Sequence, residues 1–199
     1  NPQKNQMVFP AGILQPPFYD VKASVAVNLG AMGMVVGHEL THGFDDEGSQ
    51  FDKDGNLKEW WPAGVKERFT TQTQCVHTEY SAFEAVPGVK LDGKLTMGEN
   101  IADMGGVKLA FYAYRALTRD QKEGVADGFT EDQQFFLSLG QIWCSKQHDE
   151  YSRMAAQIDP HSPPRWRVNG PVRNLPEFAR AFSCATGKPM NAKQKCGVW

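Results

Sequence analysis

An uncharged run from Gly30 to Gly37 leads straight into His38-Glu39-Leu40-Thr41-His42, an HExxH motif. On a helix, residues four apart leave one face a single turn apart. Two imidazoles so placed can share one zinc ion, each at about 2.0–2.1 Å. Glu39 falls one residue off the His38 direction, so it can reach a water at the metal without ligating, as a general base must. In a chain with these His and Glu counts, chance would produce the motif on the order of 0.01 times. The plain alternative is two surface histidines with a salt-bridging glutamate. Met34-Val35-Val36 directly before the motif weakens it, because buried imidazoles need partners and a metal supplies them.

A catalytic zinc keeps three protein ligands and one open position, so a third ligand must come from elsewhere. Glu99, in Gly98-Glu99-Asn100-Ile101-Ala102-Asp103, is the candidate. Glu99 and Asp103 share a helical face, and two acids side by side repel unless a cation or proton donor lies between them. Glu99 would then ligate, while Asp103 would accept the ring N–H of a ligand histidine. Ala102, Met104 and Gly105-Gly106 mark that face as packed rather than as a solvated acidic one.

Around these motifs the chain reads as mainly helical with minor strand. The dense prolines of residues 1–20 exclude a helix and suggest that Met7-Val8-Phe9 is a strand. Apolar spacing predicts helices over about 21–43, 62–83, 97–117, 132–158 and 176–184. It leaves 44–61 and 160–171 as loops and 87–93 as a turn. Gly30, Gly33 and Gly37 inside the first helix imply close backbone packing or room for a ligand. Asp52-Lys53-Asp54-Gly55-Asn56 resembles the start of a calcium loop, but its twelfth position is Ala63 rather than a bidentate glutamate, so it reads as a turn. Asp45 and Asp46 read as loop caps, with a bond to His42 open to either.

The 199 residues carry 21 Lys plus Arg against 23 Asp plus Glu, which lacks the basic excess a nucleic-acid binder needs. No apolar run reaches the roughly 18 residues of a membrane helix. Cys75, Cys144, Cys184 and Cys196 form no CxxC pair, which favours disulfides and an extracytoplasmic compartment (secreted, periplasmic or cell-surface) over buried free thiols. The opening Asn1-Pro2-Gln3-Lys4 reads as the middle of a longer chain, so residues 1–199 are expected to be one catalytic domain and a C-terminal fragment.

HExxH followed by an ENIAD helix resembles the neprilysin and endothelin-converting-enzyme family of zinc endopeptidases. The similarity extends to Asn5 through Phe18, to Gly37 through Asp46, and to the ending Cys196-Gly197-Val198-Trp199. It implies a mainly α fold with a small β-sheet (α+β), the thermolysin-like zincin layout. It also implies one zinc held by His38, His42 and Glu99, with Glu39 as general base and Asp103 behind the ligands. His161 would donate to the oxyanion of the intermediate and Arg167 would grip the peptide carbonyl. Ile13, Phe18, Met34, Val35, Ile142 and Trp143 would line a pocket for a bulky apolar residue on the leaving-group side of the cut, although taken alone they read as core. Cys75 would pair with Cys196, and Cys144 and Cys184 with cysteines upstream of this chain. The implied partners are peptide substrates and an upstream helical lid domain. The family's substrate-binding strand also lies upstream, so the segment by itself could be inactive. Two rivals remain. One is a non-catalytic zinc-stabilised ectodomain acting as a binding or scaffold module, which could relax Glu39, His161 or Arg167; all three are present. The other is an aminopeptidase, which would need an acidic N-terminus-binding motif that the chain lacks.

Overall fold

A computed structural model describes all of residues 1–199. The zinc-motif helix is assembled from α1 (Val25–Asn28), a π-turn (Leu29–Gly33) and α2 (Met34–His42). Ser24 caps its start, its hydroxyl accepting from the Val27 amide at 3.2 Å. α3 (Ala63–Ser81), the long α4 (Met97–Thr118) and α5 (Glu131–Ile142) follow, then α6 (Asp149–Ile158), α7 (Pro164–Asn174) and α8 (Pro176–Ala181). Two hairpins complete the set: β1 (Glu84–Val86) with β2 (Val89–Lys90), and β3 (Val125–Ala126) with β4 (Phe129–Thr130), both antiparallel. The fold is therefore mainly α with a little β, as expected, but the β component is two separate hairpins rather than one sheet.

The centre of the molecule is the crossing of α2 on α4. A Cβ on Gly37 would lie 2.9 Å from the Gly106 carbonyl oxygen, and one on Gly106 would lie 2.7 Å from the His38 amide nitrogen. The two backbones touch, which only glycine permits. Gly30 serves α5 in the same way, since its Cβ would meet the Phe135 carbonyl oxygen at 2.1 Å. Of the two readings of these glycines, close backbone packing is the one realised at Gly30 and Gly37.

Two apolar clusters flank the crossing. One joins Met34 with Val107, Phe111 and Tyr114 of α4, Phe135, Phe136 and Leu139 of α5, and Val172 of α7. The other gathers Val76 and Tyr80 of α3, Ile101 of α4, Phe83, Leu91 and the C-terminal Cys196 and Val198. The Cys75–Cys196 disulfide ties α3 to the end of the chain. Cys144 and Cys184 form no disulfide within residues 1–199. No helix is long and apolar enough to cross a membrane.

Three expectations fail locally. Residues 7–9 form no strand, since no ladder or bridge pairs with them, and Met7 and Val8 are exposed. The helix expected over 132–158 is two helices. α5 ends at Trp143, whose ring turns beneath the Arg167 guanidinium, and Asp149 and Glu150 open a new first turn where acidic side chains favour a helix N-terminus. The apolar stripe lapses over Ser145-Lys146-Gln147-His148-Asp149-Glu150, and that polar gap marks the break. Residues 164–171, within the segment 160–171 expected as loop, are helical and belong to α7. Pro164 occupies a first-turn position, where a missing N–H costs nothing, and only Pro171 lies inside. The Asp52 segment is a turn, as expected: Asp52 Oδ1 accepts from the amides of Asp54 and Asn56, and Gly55 takes φ +79°.

Candidate metal centre

His38 and His42 leave successive turns of α2, and Glu99 leaves the first turn of α4. The glycine crossing brings these faces together. His38 Nε2 and His42 Nε2 are 3.0 Å apart, Glu99 Oε2 lies 3.3 Å from His38 Nε2, and Glu99 Oε1 lies 3.4 Å from His42 Nε2. Tetrahedral ligands at zinc–nitrogen and zinc–oxygen distances stand about 3.3 Å from one another. The three donors thus have the separations that one zinc ion requires, and they form the single cluster of metal-capable side chains in the molecule.

Each histidine here is aimed by an aspartate. His38 Nδ1 lies 2.8 Å from Asp103 Oδ1, His42 Nδ1 lies 2.7 Å from Asp45 Oδ2, and His161 Nδ1 lies 2.8 Å from Asp159 Oδ1. A carboxylate can only accept, so each Nδ1 carries the hydrogen and each Nε2 faces inward. His161 Nε2 sits 3.3 Å from Glu99 Oε2, so three imidazoles converge on one carboxylate.

Asp103 is fully buried and faces two donors. Besides His38, Arg167 forks onto it, with Nε to Oδ2 at 2.9 Å and Nη2 to Oδ1 at 2.7 Å. Burial alone would raise the Asp103 pKa, but the Arg167 charge and the His38 bond hold it below the usual carboxylate value. Burial also opposes a charge on His38, yet its bonds to Asp103 and Glu99 prevail and raise it to about 9. Glu99 is likewise held low against burial, by the His38 bond and the charges of the surrounding histidines. Arg167 lies 4.2 Å over the Trp143 ring, and its Nη2 also reaches Glu99 Oε2 at 3.3 Å.

Of the residues assigned by sequence, His38, His42, Glu99, Asp103, His161 and Arg167 come together. Glu39 is half-buried beside them and outside the ligand cluster. The apolar residues are more dispersed. Val35 and Trp143 pack against the main core, and Phe18 is tied to the zinc-motif helix by its carbonyl, which accepts from the Met32 amide at 3.1 Å. Met34 is 1% exposed and belongs to the core. Ile13 and Ile142 are half-buried. Sequence reasoning missed Asp159, although its position two residues before His161 was legible. It also set Asp45 down chiefly as a cap. Asp45 performs both tasks, as its Oδ1 accepts the amides of Glu47 and Gly48 while Oδ2 holds His42.

An HExxH helix crossed by a helix that supplies glutamate defines a zinc-peptidase type of centre. The chain belongs to peptidase family M13, whose model matches residues 1–198. It is 46% identical over 202 residues to Neprilysin-3 of Drosophila melanogaster, with all of this chain and 26% of that protein covered. It is 49% identical over 201 residues to an endothelin-converting enzyme homolog of Locusta migratoria, with all of this chain and 28% of that protein covered. Mycobacterium tuberculosis zinc metalloprotease Zmp1 in its open state superposes with TM-score 0.92 at 39% identity, over all of this chain and 32% of that one. The chain thus spans about a quarter of the length of its curated relatives.

Proposed function

We propose that this chain is the catalytic part of a zinc-dependent endopeptidase that cuts oligopeptides on the amino side of bulky hydrophobic residues. The observation that carries this reading is the metal-spaced triad of His38, His42 and Glu99 with Glu39 adjacent but unligated. Zinc held there would supply Lewis acidity, which polarises a carbonyl and makes water a nucleophile near neutral pH.

The chain's own groups account for the remaining work. The Glu39 carboxylate accepts a proton from the attacking water and delivers it to the leaving amine nitrogen. His161, its Nδ1–H fixed on Asp159, donates to the charge that develops on the carbonyl oxygen when Nε2 also carries a hydrogen, as in the doubly protonated ring. Arg167, clamped by Asp103 and stacked on Trp143, orients the peptide backbone through the part of its fork left free. Half-buried Phe18, Val35, Ile142 and Trp143, with Ile13, support a bulky apolar preference, and Met34 backs them from the core. The disulfide supports an extracytoplasmic setting.

Glu39→Gln tests the mechanism: the variant should keep one zinc per chain and lose turnover of a quenched fluorogenic peptide. Retained cleavage by the metal-loaded variant would end the proposal. Metal analysis of Glu99→Ala tests the ligand set, since a full equivalent of tightly held zinc would remove Glu99 from it.

A further inference from the structure

Glu99 and His161 are 62 residues apart, and no single element carries both. Their immediate chain neighbours are joined directly. The Ser162 hydroxyl donates to Asn100 Oδ1 at 2.7 Å. Asn100 is 1% exposed and Ser162 3%, so the bond lies in the interior although His161 beside it is exposed. The bond also belongs to a chain with one direction. Asn100 Nδ2 donates to the Thr96 hydroxyl at 2.9 Å, and the Thr96 hydroxyl donates to the Asp92 carbonyl at 3.0 Å. Each member spends its donor on the next, so neither amide orientation nor hydroxyl rotation is free. The chain starts in the His161 loop, passes along the first turn of α4 behind Glu99, and ends before that helix begins.

We propose that Asn100 and Ser162 are positioning residues that set the His161 imidazole against Glu99. Asp159 fixes which nitrogen of His161 faces inward, through its bonds to the His161 amide at 2.9 Å and to Nδ1 at 2.8 Å. Those bonds are local to the loop, so they orient the ring within the loop and leave the loop's place over the metal centre undetermined. The Ser162–Asn100 bond is the nearest fixed link from that loop to the α4 turn that carries Glu99. Without it, the loop would keep its internal shape, and its nearest remaining side-chain tie to α4 besides His161 itself would be the Arg167 fork on Asp103, six residues past His161, which leaves the imidazole room to drift. A donor to an oxyanion is effective only at hydrogen-bond range of the developing charge, so a small drift falls on the transition state rather than on substrate binding.

The kinetic side of this inference rests on the peptidase reading above. The test compares parent, Ser162→Ala, His161→Ala and the double variant in zinc-loaded protein. Ser162→Ala should lower kcat about 10-fold with KM changed less than about 2-fold and zinc content unaltered. It should weaken binding of a peptidyl phosphonate, a tetrahedral anion, by a similar factor. In the His161→Ala background the same substitution should cost almost nothing, because its effect passes through the imidazole. An equal loss in both backgrounds, or a loss of zinc, would overturn the proposal by showing a general structural role. Crystals of Ser162→Ala give a readout independent of activity. His161 should be displaced or disordered while His38, His42 and Glu99 superpose on the parent, and an unmoved His161 would overturn the proposal. A parent that cleaves no peptide even within the full-length protein defeats the peptidase reading, and the crystal comparison then decides this one.

Discussion

The two imidazoles of the HExxH motif are supported in opposite ways. His42 is held by Asp45, three residues away, at the C-terminal end of α2, with 29% of its side chain exposed. His38 is held by Asp103, 65 positions along the chain, and through it by Arg167, 64 further on, with all three buried. One support is a property of a heptapeptide and the other of the assembled fold. The difference teaches that the α2 end could form its half of the site whenever the helix forms, whereas the His38 half exists only once α2, α4 and α7 have packed.

The sharpest way to break this contrast is Asp103→Ala. It strands a buried guanidinium and should cost about 3–5 kcal/mol of stability, read by denaturant unfolding, together with loss of zinc. Unchanged unfolding would mean that the Arg167 arm carries no structural weight. Gly106→Ala acts on the crossing that carries the His38 side, placing a methyl 2.7 Å from the His38 amide and 2.8 Å from the Met34 carbonyl. Backbone cannot yield as a side chain can, so a loss of about 1–3 kcal/mol is expected, with a lower thermal midpoint as the measurement. Asp45→Ala should act locally, weakening zinc about 10–100-fold in a competition titration, with the fold largely kept. If it destabilised the protein as much as Asp103→Ala, the two supports would not differ in kind.

The smallest effect concerns pH. In the metal-free protein the His38 pKa is raised to about 9, above its unfolded value of 6.5. The stability this contributes is complete below about pH 6.5 and fades as pH rises through 9. Zinc needs the neutral ring, so binding must displace that proton. The gap in thermal midpoint between zinc-loaded and chelated protein should therefore widen from pH 6.5 to 9. A gap that stays constant or narrows would show that His38 is already neutral without metal.

How far the sequence could be read follows the same division. HExxH is local, so its helix and both imidazoles were legible, as was the i, i+4 pairing of Glu99 with Asp103. Asp159 and Asp45 were within reach of spacing arguments, since each stands two or three residues from its histidine. The Arg167–Asp103 fork and the Ser162–Asn100 bond were not, because residues more than 60 positions apart leave no pattern in composition or period. Helix α7 is hidden for a different reason: its prolines suggest loop by number, yet Pro164 stands at a first turn, where proline favours a helix. The family resemblance supplied the roles of His161 and Arg167, which the residues alone did not.

The contact between Gly37 and Gly106 has a bearing on which ions the centre can accept. Main chain meets main chain there, so the gap between the imidazole pair and the opposing carboxylate is gauged by peptide units, which have no rotamers to exchange. A larger cation that asks for wider ligand spacing would have to be met by torsion of the ligand side chains, of which His38 and His42 are already held by Asp103 and Asp45. The calibre of the site is thereby built into the scaffold, and drift among the surrounding apolar side chains would leave it untouched.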